Sequence, residues 1–192
     1  MLAALAMHLV LSLLFLGSFM IRLIALIAKW RREHRALVPS PPPRPRPTYS
    51  IFVALYREAA VVPQLIDTLN RIEWPATRLD IKLICEADDQ ETLDALALTR
   101  LGRQYEIVEV PAGRPRTKPK ALTYALGAAR GEYLVIYDAE DRIDPMQLEE
   151  AWRTFEAGPP DVACLQAPLV VTNVRESWLS ALFALEYAGL FR

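Results

Sequence analysis

The sequence predicts an α/β fold, a mostly parallel sheet with helices on its faces, set behind one membrane-spanning helix. Three observations carry this. Apolar runs of strand length alternate with helix-periodic segments from residue 49 onward. Leu2 to Met20 holds no charged residue, and after Arg22 the apolar run resumes as far as Trp30, enough for the roughly 20 residues a membrane helix needs. Between these regions, Pro39 to Pro47 is too rich in proline for helix or central strand.

Residues 1–30 are thus expected to be a transmembrane helix. A secretory signal is the rival, but no Lys or Arg precedes the apolar run and no convincing small-residue cleavage site follows it. Arg22 is the costly residue, bearable if it snorkels to the headgroups with Trp30 as interfacial aromatic. Residues 31–48 form a basic, proline-rich linker. Lys29, Arg31, Arg32, Arg35, Arg44 and Arg46 are opposed only by Glu33. This bias predicts a single N-terminal pass in the cell (inner) membrane with the following domain cytoplasmic, so the lipid bilayer is a partner. The prolines give an extended spacer; a proline-motif ligand is the sharper alternative.

Residues 49–192 are expected to be one globular domain. Ser50 to Leu55 is the first strand, and Val62, Leu65, Ile66, Leu69 and Ile72 recur at helical spacing after it, with Pro63 suited to a first turn. Ile81 to Cys85 is the second strand, followed by a helix carrying Leu93, Leu96, Ala97 and Leu101. Tyr105 to Val110 is the third, followed by a helix from Lys118 to Arg130 that Gly131 ends. Tyr133 to Tyr137 is a continuous apolar run, as in a strand covered on both faces. A helix from Met146 to Ala157, a fifth strand from Val162 to Gln166 and a helix from Glu176 to Phe191 complete the pattern.

Composition narrows the function. The 192 residues are 53% hydrophobic and 23% charged with mean hydropathy +0.14, too apolar for an ordinary soluble chain and too charged to be membrane throughout. A net charge of -1 gives no basic field for nucleic acid. With only His8 and His34, a histidine metal cluster or a Ser-His-Asp triad has no raw material. Cys85 and Cys164 each sit in an apolar run, as buried reduced thiols do.

In an open α/β sheet, ligands bind at the carboxyl ends of the strands. Here the first strand is followed by Tyr56-Arg57-Glu58, the second by Glu86-Ala87-Asp88-Asp89 and the fourth by Asp138-Ala139-Glu140-Asp141. So many carboxylates on one rim repel unless a cation compensates, and Mg²⁺ or Mn²⁺ suits oxygen ligands. The loop after the third strand has the opposite sign: Arg114, Arg116, Lys118 and Lys120 run into a helix start, a phosphate site. Metal ligands beside phosphate ligands suit a metal-bound nucleoside diphosphate. Each piece has a plainer explanation: Asp88 or Asp89 as a helix cap, Asp138 and Asp141 as turn formers, the basic loop as a solvated segment. Their conjunction favours the site.

From about Pro47 to its end the chain resembles family 2 glycosyltransferases of the cellulose-synthase-like, processive group, whose catalytic domain has the GT-A, Rossmann-like fold. Arg116 to Leu126 looks like that group's lysine-bearing helix start, and Tyr137-Asp-Ala-Glu-Asp141 like its DxD motif. The resemblance implies metal ligation by Asp138 and Glu140, nucleotide or donor binding by Tyr56, Glu58, Asp88, Asp89, Lys118, Lys120 and Asp138, and an acceptor-side role for Gln166. Glu140 replaces the usual second aspartate, and Thr123 stands where asparagine is common. The resemblance implies inverting transfer of a sugar from a nucleoside diphosphate donor, a UDP-sugar, to a glycan acceptor during polysaccharide synthesis. The family's later catalytic-base aspartate, its Gln-x-x-Arg-Trp motif and its channel helices have no counterpart before Arg192. The chain is therefore expected to be the donor-binding front part of a longer enzyme. A membrane-tethered nucleotide-binding or scaffold module without transferase activity is the alternative; a phosphatase-like site at Asp138 and Glu140 is a more distant one.

Overall fold

The computed structural model describes residues 2–33, 44–167 and 170–191. The chain forms two compact units, one of Met1–Pro39 with Pro159–Arg192 and one of Ser40–Gly158. In the first, helix α1 runs Leu2–Glu33 and contains a stretch, Leu5–Ala25, long and apolar enough to cross a membrane. Residues 34–43, which include most of the expected spacer, lie outside the described residues.

The second unit is an α/β layer structure. Its strands are β1 (Tyr49–Leu55), β2 (Leu79–Glu86), β3 (Tyr105–Val110) and β4 (Tyr133–Tyr137). All neighbours are parallel, in the order β3-β2-β1-β4. Helices α2 (Val62–Asn70), α3 (Gln90–Leu98), α4 (Lys118–Leu126) and α5 (Gln147–Ala157) make the connections and flank the sheet. Alternation along β1 sorts the core into two layers. Ile51, Val53 and Leu55 pack with Leu65 and Leu69 of α2, Leu96 of α3, and Leu148 and Trp152 of α5. Phe52 packs on the other face with Ile84, Val110 and the Ala121 and Ala125 stripe of α4. Small alanines let α4 lie close to the sheet.

Four details depart from the sequence expectations. Helix α4 stops at Leu126 rather than Arg130, with Gly127 at its cap, because the next residues are drawn down to the sheet. There the Arg130 and Gly131 amides donate to Ser50 Oγ at 3.0 and 2.9 Å. Strand β4 is buried on one face only. It lies at the sheet edge beyond the reach of α4, leaving Leu134 42% and Ile136 48% exposed. Residues 162–166 form no strand: the described sheet ends at β4, and the Val162 amide bonds back to Pro159 O at 3.1 Å in a turn set by Pro159 and Pro160. Cys164 within that segment is consequently exposed, whereas Cys85 is buried on β2. Burial, with Asp89, Glu109 and Glu58 nearby, pushes the Cys85 thiol up to about 12, so it stays protonated and inert.

Gly131 is required for a reason other than ending a helix. A Cβ there would stand 2.6 Å from the Tyr133 carbonyl oxygen and also collide with the β1 backbone. Neither neighbour can rotate away. Gly131→Ala is expected to lower stability by about 2–3 kcal/mol, the upper range for overpacking, read as a fall in thermal midpoint by circular dichroism.

The start of this unit is strapped down. Arg44 pairs with Glu156 at 2.5 Å, Arg46 with the buried Glu149 at 3.1 Å, and the Trp74 indole N–H donates to Pro47 O at 3.2 Å. The Arg46 guanidinium also lies over the Trp74 ring, 5.3 Å from its centre. So the last linker residues, 44–47, enter the domain as a fixed strap on α5 and Trp74.

Candidate functional site

The strand order places a topological switch point between β1 and β4, since the chain winds outward from β1 through β2 to β3 and then returns to β1's other side. At such a point the loops leaving the strands part to opposite faces and open a crevice. The loops in question are those expected from the sequence.

Three of them meet on one side of the crevice. Arg116, after β3, donates to the Tyr56 hydroxyl at 3.3 Å and forms an ion pair with Asp88, after β2. Tyr56 itself, after β1, has the Arg57 guanidinium over its ring at 5.3 Å. An aromatic ring, two guanidinium groups and a carboxylate thus share one surface, and the loop carrying Arg116 borders a cavity of about 530 Å³ lined by residues 112–116.

Arg57 holds this surface in shape at a cost. Its φ of 57° is in the left-handed region, which a residue with a Cβ adopts only when its surroundings impose it. The imposing groups are the cap residue and the first turn of α3. Asp89 Oδ2 accepts the Arg57 amide at 2.6 Å, and Thr92 Oγ1 accepts the next amide, that of Glu58, at 3.1 Å. The other oxygen of Asp89 caps α3 by accepting the Thr92 amide at 3.5 Å. Asp89 therefore does the capping work and, with Thr92, aims Tyr56 and Glu58. Replacing Thr92 by the isosteric valine leaves the Glu58 amide without its acceptor. Thr92→Val should lose about 1–3 kcal/mol, the cost of one unsatisfied buried amide, seen as a lower thermal midpoint with an unchanged far-ultraviolet spectrum.

On the other side lie the acids. Burial first, then Glu140, push the Glu58 carboxyl above its ordinary value, against the lowering effect of the Tyr56 backbone and Lys118. Asp141 is raised by burial and by Glu140 in the same way, again with Lys118 opposing. Asp141 also accepts the Asp138 amide at 2.9 Å and so closes the turn that presents Asp138 and Glu140. Asp138 forms an ion pair with Lys118 at the start of α4. Glu58, Asp138, Glu140, Asp141 and Lys118 therefore share one electrostatic environment at the carboxyl ends of β1 and β4.

The residues present fit a divalent cation. Glu58 Oε2 is buried without a hydrogen-bond partner, in a place where Glu140 already disfavours its charge. Among the described residues no three His, Cys, Asp or Glu side chains form a cage of their own. One or two carboxylates completed by phosphate oxygens and water is the pattern Mg²⁺ adopts.

Lys120 differs from Lys118. Its ammonium touches both oxygens of Glu86 at 3.2 Å, Pro111 O at 3.1 Å and Gly113 O at 3.2 Å. It ties the basic loop to the end of β2. Sequence reading overlooked Glu86, Arg57 and Thr92 as individual site residues, and it placed Arg116 in the phosphate-binding loop, where the structure sets it against Tyr56 and Asp88. The signal for Thr92 was its place three residues after Asp89, where a helix presents a cap-bonded amide; a left-handed Arg57 had none. Gln166 is exposed in an irregular segment of the other unit.

Comparison with known proteins bears on this geometry. A family model described as glycosyltransferase-like family 2 matches residues 45–189. Cellulose synthase 1 of Komagataeibacter xylinus is 29% identical over 141 residues, covering 70% of this chain and 8% of its own length. Beta-monoglucosyldiacylglycerol synthase of Trichormus variabilis is 25% identical over 135 residues, covering 69% of this chain and 28% of its own. The chain thus spans less than a third of either relative. Among solved structures, the mannosyltransferase PcManGT of Pyrobaculum calidifontis, in complex with GDP-Man and Mn²⁺, superposes with a TM-score of 0.54 at 26% identity over 75% of this chain and 44% of that one. Staphylococcus aureus TarS 1-349 superposes at 0.50 with 16% identity, covering 65% of this chain and 39% of that one, a likeness of fold.

Proposed function

We propose, given that this chain belongs to the glycosyltransferase-like family 2, that its crevice binds a nucleoside diphosphate sugar, a UDP-sugar, and serves sugar transfer to a glycan acceptor at a membrane. One observation carries the reading: Asp138, from the end of β4, pairs with Lys118 within electrostatic reach of Glu58 from the end of β1, beside the Tyr56, Arg116 and Asp88 surface. The mannosyltransferase structure, with its GDP-Man and Mn²⁺, supports a diphosphate and a divalent cation in a rim of this kind.

Each side chain then has a task. Tyr56, held by Asp89 and Thr92 through the Arg57 turn, presents a ring on which a base can stack, and Asp88 offers an acceptor for a base N–H. Asp138 and Glu140, with Glu58 behind them, would hold Mg²⁺ or Mn²⁺. The ion, when bound, supplies Lewis-acid stabilisation of the departing diphosphate. With a cation on Asp138, the Lys118 ammonium, which pairs with that carboxylate here, would be free for a phosphate oxygen. Lys120 and Glu86 hold the loop behind it. Charge builds on the diphosphate as the sugar leaves, and groups already fixed there stabilise it without reorganising. Inversion at the sugar carbon, a polysaccharide product and an acceptor-side role for Gln166 follow from the resemblance alone. Helix α1 is read as the single membrane pass, with the α/β unit on the cytoplasmic side.

Calorimetric titration of the full chain in detergent with UDP, in the presence of Mn²⁺, tests the donor site. Binding should appear with Mn²⁺, weaken at least tenfold with EDTA, and fall by about 10–100-fold in Asp138→Ala, the range for losing a group that orders a metal site. Equal heats for the wild type and Asp138→Ala would sink the reading.

A further inference from the structure

Arg22 remains the costly residue of a helix that crosses a bilayer, since it lies inside the apolar stretch Leu5–Ala25 and snorkelling alone leaves its charge without a counter-ion. The structure supplies its partner. Helix α6 (Trp178–Phe191) belongs to the same compact unit as α1, and its Glu186 pairs with Arg22 at 3.5 Å. Glu186 is the one charged residue of α6, as Arg22 is of Leu5–Ala25. Two isolated opposite charges on two apolar helices have found one another.

The rest of α6 is unsuited to water. Trp178 is 78% exposed and Leu185 69%, with Leu179, Leu182 and Phe183 also exposed. Its apolar residues are spread round the circumference instead of forming one stripe. A helix of that kind is stable only when covered on all sides, by a protein core or by lipid. Its half-buried residues, Ser180, Ala184 and Tyr187, lie on one side, with the Phe183 ring 5.6 Å from that of Tyr187, and the exposed Trp178, Leu182 and Leu185 lie on the other. With 14 residues it reaches roughly 21 Å, short of the roughly 30 Å hydrocarbon core.

We infer that α6 is a second lipid-contacting helix, immersed at the headgroup boundary beside α1, with the Arg22–Glu186 pair neutralising both charges at that depth. The occupant of its exposed face is the bilayer, because the helix it pairs with has the length and composition of a membrane span and none of that span is buried by the protein. Ionisable groups at membrane depth pair with one another for the same reason. The inference rests on the reading of α1 as a membrane helix.

Nitroxide labels on the full chain test both readings separately. In a Cys164→Ser background, with Cys85 buried, single cysteines are placed at Leu9 on α1, at Leu182 on α6 and at Leu98, an exposed residue of the α/β unit. The protein is reconstituted in vesicles of phosphatidylcholine with a quarter phosphatidylglycerol, and relaxation by oxygen is compared with relaxation by a water-soluble nickel chelate. Oxygen should dominate at 9 and at 182, and nickel at 98. Nickel dominance at 182 with oxygen dominance at 9 overturns the role of α6 and leaves the span intact. Access of neither reagent at 182 means a protein partner covers it, which overturns the inference too. Nickel dominance at all three overturns the membrane reading together with it. Should the label disturb α6, quenching of Trp178 by brominated lipid, taken as the difference from Trp178→Phe, answers the same question: a clear difference supports lipid contact and no difference refutes it.

Discussion

Asp80→Ala should destabilise the α/β unit by about 3–5 kcal/mol, the cost of breaking a buried ion pair and leaving one charge uncompensated. Asp80 lies on β2 in register with Ser50 of β1, at the amino-terminal end of the sheet and away from the crevice. Its carboxylate accepts the Ser50 hydroxyl at 2.8 Å, the Arg130 side chain at 2.6 and 3.0 Å and the Arg130 amide at 3.1 Å, and it pairs with Lys82 at 3.0 Å. Lys82 is 1% exposed, and Glu106, its register partner on β3, gives it a second carboxylate. Removing Asp80 leaves that ammonium with one counter-ion in a site closed to water, and frees the turn that brings Gly131 against β1. Burial alone would raise the Asp80 carboxyl; Lys82, Arg130 and Ser50 outweigh it and hold the group below its ordinary value. The sign of the pH effect follows. A carboxyl lowered on folding stabilises fully above its unfolded value near 4 and loses that contribution as pH falls through the folded value. Thermal midpoints should therefore drop in acid for the wild type and respond less for Asp80→Ala. Donor binding by whatever fraction stays folded should be unaltered, because no crevice residue touches the network.

This network also marks what the sequence conveyed and what it withheld. Strand positions were legible because β-branched and aromatic runs of strand length stand between helix-periodic segments, and the acidic loops were legible because each directly follows such a run. Asp80 and Lys82 gave a signal that went unread: polar residues alternating with Ile81 and Leu83 on a central strand require partners, and Glu106 and Arg130 are those partners. The expected fifth strand failed for a different reason. Val162 to Leu165 has the composition of a strand, but strand structure needs a neighbour's ladder, which no local pattern encodes. Within the crevice, the acids of the β1 and β4 loops and the basic loop were placed on one rim from order alone. Which of those charges already answer one another was not legible, since ion pairing depends on the depth and angle of each loop.

The two lysines of the basic loop show the consequence. Sequence treats Lys118 and Lys120 alike, yet substitution should separate them sharply. Lys120 lies against Glu86, a buried carboxylate, and two loop carbonyls; in Lys120→Ala the carboxylate has no cation and the loop loses its anchor. Stability should fall by about 2–3 kcal/mol, the penalty for orphaning a charged, hydrogen-bonded group. UDP affinity should fall with it, through disorder of the loop that carries Arg116. Lys118 pairs with Asp138 at an exposed position, where an ion pair contributes at most about 1 kcal/mol. Lys118→Ala should leave the thermal midpoint nearly unchanged and weaken UDP binding about tenfold, as expected for removing a single charge-assisted hydrogen bond to phosphate. Lys118→Arg should recover most of that binding, because the missing group is a cation at a helix start. Lys120→Arg should recover neither property, since a planar guanidinium cannot reproduce a compact ammonium bonded to four acceptors. Equal losses of stability in Lys118→Ala and Lys120→Ala would show that the two cations are interchangeable and that Glu86 does not need its lysine.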